Sequence, residues 1–196
     1  MKHIKLIILI FILLITTSCY NYVEVNELAI IEGLSIDYYD NKYQLTTEII
    51  DIKSENENGY LINTSSNNIN ESFENIKNLS SKDISLSHLE IIILSKEILL
   101  NHINEISDYF IKDNNITTNF YLTYANNPNK ILNNKNDNYK INSKYIVDYL
   151  DKQKNNKYKF DYIITSIKNN KNYSIPYLYL ENNIIKIDKD DFIYEK

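Results

Sequence analysis

The sequence predicts an α+β fold in which packed helices cover a mixed β-sheet. Two observations lead to this prediction. Segments in which apolar and polar residues alternate, as they do in strands, are interspersed with segments whose apolar residues recur at helical spacing. In addition, no repeat of fixed period is evident along the chain, so a single core is expected rather than a stack of repeated units.

The chain begins with the pattern of an export signal. Lys2 and Lys5 provide positive charge, residues 6–15 carry no charge, and Thr16, Thr17 and Ser18 form a short run of small polar residues. This is the layout of a cleavable signal peptide. The apolar run is shorter than the roughly 20 residues that a membrane-spanning helix needs, so a simple transmembrane anchor is the weaker interpretation.

The signal ends at Cys19, which is the only cysteine in the chain. A single cysteine in an exported protein needs a partner or a modification. Residues 16–19 resemble a bacterial lipobox, in which the cysteine thiol accepts a diacylglycerol, although Thr16 stands where an aliphatic residue is usual. The alternatives are ordinary secretory cleavage nearby and an uncleaved anchor. We expect residues 1–18 to be a lipoprotein signal peptide and residues 19–196 to form one domain without disulfides.

The first part of the mature chain predicts a β-hairpin. Residues 27–37 form an apolar stretch that contains Gly33, and a glycine inside a strand often marks a bulge or a close backbone approach. Asp40 and Asn41 are residues that favour a turn. Beyond them, residues 43–49 alternate between apolar and polar types, which indicates a strand with one buried face.

A polar connection and a helix are predicted next. Residues 53–68 are polar, with a turn signal at Asn58 and Gly59. Asn70 then has the side chain of a helix N-cap. The apolar face of the predicted helix consists of Ile69, Phe73, Ile76 and Leu79.

The middle of the chain predicts two strands that flank a second helix. Residues 91–94 are all apolar, which suits a strand buried on both faces. Ser95 is placed to cap the helix that follows, and residues 120–124 alternate as a strand does. The apolar stripe of this second helix consists of Leu99, Ile103, Ile106 and Phe110.

The last third of the sequence is less strongly patterned. Residues 126–142, biased to Asn and Lys, predict a short helix at most within a solvated connection, and residues 145–150 predict a helix. Residues 160–168 fit either a helix or a strand. Residues 174–187 predict a strand or a hairpin that turns at Asn182 and Asn183.

Few residues are candidates for chemistry. His88, just before a buried strand, suits a hydrogen-bonded histidine at a strand edge better than a general base for a serine. His102 falls on the polar side of its helix, where solvent is expected. The acidic pairs Glu55 with Glu57 and Asp190 with Asp191 lie in polar stretches that face water. We therefore expect no catalytic residue.

Composition also argues against a metal, a cofactor and a nucleic acid. No spacing typical of metal ligands is present, and two glycines in 196 residues do not supply a glycine-rich phosphate loop. The formal net charge is −5, and it becomes more negative once the two signal lysines are removed. An acidic chain with scattered lysines is a poor match to nucleic acid.

Four collinear segments resemble the N-terminal region of the Ger(x)C family, the lipoprotein C subunits of spore germinant receptors. Together with the lipobox they cover most of residues 19–125, and the likeness is fainter from there to Leu180. The segments are NELAIIEGLSID (26–37), KYQLTTEII (42–50), SHLEIIILSKEI (87–98) and DYFIKDNNITTNFYLTYA (108–125). Tyr-Asn follows the cysteine where the family often has Trp-Asp, and family members are usually about twice as long, with a further C-terminal region.

The resemblance implies a non-enzymatic subunit tethered by lipidated Cys19 to the outer face of the cell membrane, which is the inner membrane of the spore. It implies integral-membrane A- and B-type receptor subunits as partners, and a role in receptor assembly or signal coupling. It supplies no catalytic residues. The alternatives are a ligand-binding lipoprotein of a transport system and a lipid-anchored hydrolase. Gene neighbourhood would discriminate the receptor subunit from the transport lipoprotein.

Overall fold

A computed structural model describes residues 28–50, 59–112, 116–135 and 139–194, with side chains described as far as residue 188. The signal sequence and Cys19 lie outside the described residues. None of the helices in the described ranges is both long enough and apolar enough to cross a membrane.

Within these ranges eight strands form one sheet, and five α-helices pack on it, which confirms the α+β prediction. The strands are β1 Leu28–Tyr39, β2 Lys42–Ile50, β3 Gly59–Ser66, β4 Asp83–Ser85, β5 Ile91–Ser95, β6 Tyr121–Ala125, β7 Tyr173–Glu181 and β8 Ile184–Tyr194. The helices are α1 Ile69–Leu79, α2 Ile103–Lys112, α3 Pro128–Leu132, α4 Asn142–Lys152 and α5 Phe160–Lys168. A π-helical turn, Ile98–His102, leads into α2, and a 3₁₀ turn, Asn156–Tyr158, precedes α5.

The sheet is mixed, with the strand order β3-β2-β1-β5-β6-β7-β8. Its centre is parallel, because β1, β5, β6 and β7 run in the same direction. Antiparallel hairpins complete the two sides, and β4 pairs in parallel with the start of β1. The parallel strands begin at one end of the sheet, beside Leu28, Ile91 and Tyr121, which we call the amino end. The opposite end is the carboxyl end.

Helices cover both faces of the sheet. On the first face, α1, α2 and α5 enclose a core that includes Phe73, Phe110, Phe160, Ile92 and Leu122. On the second face, α3 and α4 enclose a smaller core that includes Ile131, Ile146, Leu150, Ile91 and Ile93. Successive β5 residues point to opposite cores and are all fully buried, which confirms the prediction of a strand buried on both faces.

Both predicted hairpins are present, and their turns use the expected residues. Asp40 and Asn41 have φ angles of 53° and 58°, and Asn182 and Asn183 have φ angles of 50° and 63°. Two successive positive φ values define the tight turn whose twist matches that of the flanking strands, and Asn and Asp tolerate this conformation best.

Gly33 combines the two features expected of a glycine inside a strand. The pairing of β1 with β2 shifts register between Ile31 and Gly33, so β1 contains a bulge there. A Cβ atom built on Gly33 would lie 2.5 Å from the Cβ of Ser143, the second residue of α4. The missing side chain therefore lets α4 approach β1 closely.

The start of α1 differs from the prediction by two residues. The N-cap is Asn68, not Asn70: its backbone is extended, and its side chain accepts a hydrogen bond from the N–H of Glu71. Asn70 lies inside the first turn, because the helix already begins at Ile69. At the other end, Leu79 is 64% exposed, so only the first three residues of the predicted apolar face are buried.

The predicted helix after Ser95 is confirmed. The hydroxyl of Ser95 accepts a hydrogen bond from the N–H of Ile98 at 3.4 Å, at the start of the π-helical turn. All four residues of the predicted apolar stripe, from Leu99 to Phe110, are buried against the first face of the sheet. Residues 160–168, which fitted either type of structure, form helix α5.

The polar connection predicted over residues 53–68 is wrong in its second half, because β3 occupies residues 59–66. The sequence of β3 lacks the alternating apolar residues of a half-buried strand, because two of its three buried positions are Thr64 and Ser66. Thr64 donates to the backbone carbonyl of Ser72 at 3.3 Å, and the hydroxyl of Ser66 bonds to that of Ser72. Hydrogen bonds to α1 thus replace the expected apolar contacts.

The prediction that β2 buries only one face is also wrong. Thr46 and Glu48, on its supposedly exposed face, are 1% and 4% exposed, because α3 and α4 cover the second face of the sheet. For the same reason, residues 126–142 are not simply a solvated connection. They include the expected short helix, but Leu132 and Asn142 are buried on the sheet.

The contact at Gly33 makes a testable prediction about stability. Gly33→Ala places a methyl group against Ser143, so we expect the free energy of unfolding to fall by roughly 1–3 kcal/mol in urea titrations. Adding Ser143→Gly should recover part of the loss, because it removes the opposing Cβ. Gly59→Ala is the matched control, since its new Cβ would lie 3.3 Å from its nearest neighbour, the Ile49 carbonyl oxygen. Equal stability of Gly33→Ala and wild type would contradict the packing described.

Candidate functional site

The most unusual buried group is the carboxylate of Glu48, on the second face of β2. One of its oxygens, Oε1, accepts a hydrogen bond from the N–H of Asn142 at 2.9 Å. The other, Oε2, accepts one from the N–H of Ser143 at 2.7 Å. These are the first two residues of α4, and Ile141, which precedes them, makes no side-chain cap. Glu48 therefore caps α4 from across the sheet, where the helix dipole also favours a negative charge.

Asn142 connects this cap to the chain that precedes it. Its Nδ2 group donates to the carbonyls of Leu132 at 2.7 Å and Asn134 at 2.9 Å. These two bonds hold the end of α3 against the start of α4. The Oδ1 atom of Asn142 is buried and accepts no hydrogen bond from the described residues.

A second carboxyl group, that of Glu32, approaches Ser143 from the bulge in β1. Its Oε2 accepts a hydrogen bond from the Ser143 hydroxyl at 3.2 Å, and the residue is 8% exposed. Burial, and then the neighbouring charge of Glu90, raise the pKa of Glu32 to about 7, against the opposing effect of the Ser143 bond. Burial also raises the pKa of Glu48, and its bonds to Ser143 and Asn142 oppose that rise.

The two carboxyl groups thus have different roles around one serine. Glu48 accepts hydrogen bonds from two backbone N–H groups at the positive end of a helix dipole, which oppose the rise of its pKa that burial causes. Glu32 has one hydroxyl donor and exchanges a proton near neutral pH. The arrangement fixes α4 and places one titratable group beside it.

A cleft of about 190 Å³ opens next to Glu32 at the amino end of the sheet. It is lined by Ile30, Glu32, Ile50, His88 and Glu90. His88 precedes β5, as expected, but it is exposed in a loop rather than held at a strand edge. Burial and then the charge of nearby Asp151 raise the pKa of Glu90, while Lys159 lowers it.

A larger and more polar cleft, of about 440 Å³, lies between β3 and the connection from α3 to α4. Glu48 and Asn142 line it together with Tyr60 and Tyr139. Both oxygens of Glu48 in this cleft already accept a hydrogen bond from a backbone N–H group of α4.

The expectation that His102 is solvated is wrong. Its Nδ1 lies 3.2 Å from the hydroxyl of Tyr43, and its ring lies against Tyr38 with centroids 4.1 Å apart. The same Tyr43 hydroxyl donates to Glu105, and the pKa of Tyr43 is raised by burial first and then by that carboxylate. His102 therefore joins the β1–β2 hairpin to the π-helical turn at the carboxyl end.

The other candidates from the sequence do not converge on a site. Glu55 and Glu57 lie outside the described residues, and Asp190 and Asp191 lie in the part of β8 beyond residue 188, where side chains are not described. Within the described ranges, no group of three or more His, Cys, Asp or Glu residues is placed to hold a metal ion. The carboxyl groups of Glu32 and Glu48 were missed, although each stands in a strand among apolar residues, which is an unusual place for a charge.

Comparison with protein families gives one match. Residues 21–180 match the family model described as the spore germination protein N-terminal domain. The match begins two residues after Cys19 and includes β1 to β6 and all five α-helices described above. This family match lends no support to the alternative of a ligand-binding lipoprotein of a transport system. None of the curated proteins or solved structures compared with the chain matches it significantly.

The cap on α4 predicts a large effect of Glu48 on stability. Glu48→Ala leaves two buried N–H groups without acceptors, so we expect unfolding in urea to require roughly 2–4 kcal/mol less free energy. Glu48→Gln should lose less stability than Glu48→Ala, because the amide keeps one oxygen that can accept a hydrogen bond from a backbone N–H group. Glu97→Ala is the control, since Glu97 is exposed and its loss should change stability by less than about 0.5 kcal/mol. A loss for Glu48→Ala no larger than for Glu97→Ala would exclude the capping role.

The raised pKa of Glu32 predicts a pH dependence of stability. The folded-state value of about 7 exceeds the ordinary value of 4.5, so the folded protein binds the proton more tightly than the unfolded chain does. Its contribution to stability is therefore complete below about pH 4.5 and is lost as the pH rises through 7. We expect Glu32→Gln to remove this slope, so that the variant gains stability relative to wild type over that range. Parallel curves of unfolding free energy against pH for the two proteins would refute the assignment.

Proposed function

The chain belongs to the Ger(x)C family of spore germination proteins, and from this premise we propose that it is a lipid-anchored, non-enzymatic subunit of a spore nutrient-germinant receptor. The observation that carries the proposal is the family match over residues 21–180, which starts two residues after Cys19. In this proposal residues 1–18 are removed as a signal peptide, residues 19–196 form the mature chain, and Cys19 carries the lipid.

The anchor would keep the domain beside the membrane. A diacylated cysteine carries two acyl chains, which hold a protein stably where one chain does not. Only eight residues, 20–27, separate Cys19 from the start of β1. Even fully extended, this length spans no more than about 30 Å. The amino end of the sheet would therefore stay within that distance of the lipid, on the outer face of the cell membrane, which is the inner membrane of the spore.

This position suits a protein that works with integral-membrane partners. We propose that the partners are the A- and B-type receptor subunits, and that the chain assists receptor assembly or signal coupling. The site chemistry supports a non-enzymatic role. Both oxygens of Glu48 are bonded to backbone N–H groups of α4, and the Ser143 hydroxyl that donates to Glu32 belongs to a fully buried residue, out of reach of a substrate. The buried carboxyl groups maintain the shape of the domain.

Replacing the cysteine tests the anchor. Cys19→Ala removes the thiol that accepts the lipid, so we expect the chain to be lost from the membrane fraction of spores. Germination in response to a nutrient should fall to the level of a strain that lacks the chain. The measurements are incorporation of labelled palmitate, immunoblots of membrane and soluble fractions, and the rate of germination.

Thr16→Leu is the matched control. It restores the aliphatic residue that is usual in a lipobox and leaves Cys19 in place, so labelling and germination should remain at the wild-type level or above. Normal nutrient germination by spores that carry Cys19→Ala would reject the tether. Normal germination without the chain would reject the receptor role itself.

A further inference from the structure

The polar cleft between β3 and the connection from α3 to α4 has a buried acceptor without a donor in its wall. Asn142 lines this cleft and is 4% exposed. Its Nδ2 group donates to the carbonyls of Leu132 and Asn134, and these two bonds fix the orientation of the amide. Its Oδ1 atom accepts no hydrogen bond from the described residues. A buried amide oxygen normally has a donor, so this atom indicates a donor group that a ligand brings.

The charged residues in the wall of the cleft indicate a second property of the ligand. Lys135 and Lys140 line the cleft, and both are exposed to solvent. Glu48 is the acidic residue of the described lining, and each of its oxygens accepts a hydrogen bond from α4. Two ammonium groups on the wall favour an anionic group of the ligand, since charge-assisted hydrogen bonds are stronger than neutral ones. A ligand that carries both an anionic group and a hydrogen-bond donor therefore matches this wall.

The size of the cleft is that of a small-molecule site. Its volume of about 440 Å³ falls within the range of roughly 300–1,000 Å³ that such sites occupy. Leu61 and Leu132 contribute apolar surface to the lining, and Tyr60, which is 41% exposed, contributes an aromatic ring. The cleft thus offers contacts for the carbon atoms of a compact ligand as well as for its polar groups.

We propose that this cleft binds a free α-amino acid. Such a molecule carries an ammonium donor and a carboxylate on the same carbon atom, so it supplies both of the groups that the wall requires. The ammonium group donates to Oδ1 of Asn142, and the carboxylate lies beside the ammonium groups of Lys135 and Lys140. The side chain of the ligand contacts Leu61 and Tyr60. The inference concerns binding by this chain, and it does not rest on the receptor role proposed above.

Isothermal titration calorimetry on the full, lipidated chain in detergent micelles tests for binding. The probes are glycine, L-leucine, L-glutamine and L-phenylalanine, which represent small, apolar, polar and aromatic side chains. We expect at least one of the four to bind saturably, with one molecule bound to each chain. The absence of saturable binding by all four would overturn the proposal.

Analogues of the probe that binds most tightly test the two ends of the ligand separately. One analogue lacks the amino group and the other lacks the carboxyl group; for L-leucine these are 4-methylpentanoate and 3-methylbutylamine. The acid without the amino group leaves Asn142 Oδ1 without its donor, so we expect its affinity to be at least about tenfold lower. The amine without the carboxyl group should lose affinity as well, because it has no anion for the two lysines. Equal affinity of the amino acid and its deaminated analogue would contradict the role of Asn142.

Charge variants decide whether this cleft is the place of binding. Lys135→Glu combined with Lys140→Glu reverses both positive charges of the wall, so the affinity for the amino acid should fall at least about tenfold. The matched control combines Lys96→Glu with Lys168→Glu, which makes the same change in net charge at exposed positions outside the lining of the cleft. We expect the control to bind as the wild type does. Thermal unfolding of both variants checks that each remains folded.

Undiminished affinity in the variant of Lys135 and Lys140, or an equal loss in the control variant, would show that the amino acid binds elsewhere and would overturn the proposal. Neither result affects the test of Cys19. The receptor role and the amino-acid site can therefore fail separately.

Discussion

The second face of the domain depends on the hydrogen bonds by which the Glu48 carboxylate of the sheet caps the N-terminus of α4. A helix end laid on a buried sheet presents backbone N–H groups that water does not reach, and each needs an acceptor. Glu48 supplies both required oxygens from β2. Asn142 then holds the end of α3 in place through two carbonyl bonds, so Glu48 and Asn142 together fix the junction of α3 and α4 on the sheet.

The bulge in β1 makes this arrangement sterically possible. Gly33 leaves room for Ser143, and the register shift turns Glu32 toward the same serine. Two buried carboxyl groups near one residue would repel each other if both were charged. Burial raises the pKa of both groups, and the backbone N–H bonds from α4 oppose that rise at Glu48. A carboxyl group buried in this way specifies where the helix lies, because its two oxygens accept the bonds of two successive backbone N–H groups.

The sequence predicted those parts of the fold whose cause is local. The hairpin turns at Asp40 and Asn182, the bulge at Gly33 and the apolar strand β5 each follow from the conformational or burial preferences of a few adjacent residues. The parts that it did not predict depend on distant partners. Glu48 looks like an exposed strand residue until α4, more than 90 residues later, covers it, and β3 lacks apolar alternation because its hydroxyl groups bond to α1. The same distance explains the error at His102, whose neighbours come from the β1–β2 hairpin.

The central position of β1 has a mechanical consequence. Tension applied through the N-terminus acts along this strand, which is bonded to β2 on one side and to β4 and β5 on the other. Pulling a strand lengthwise between two neighbours loads many backbone hydrogen bonds at once, in shear, rather than opening them one after another. Force that enters the described part of the chain at Leu28 therefore meets a strand that is hydrogen-bonded to neighbours on both sides.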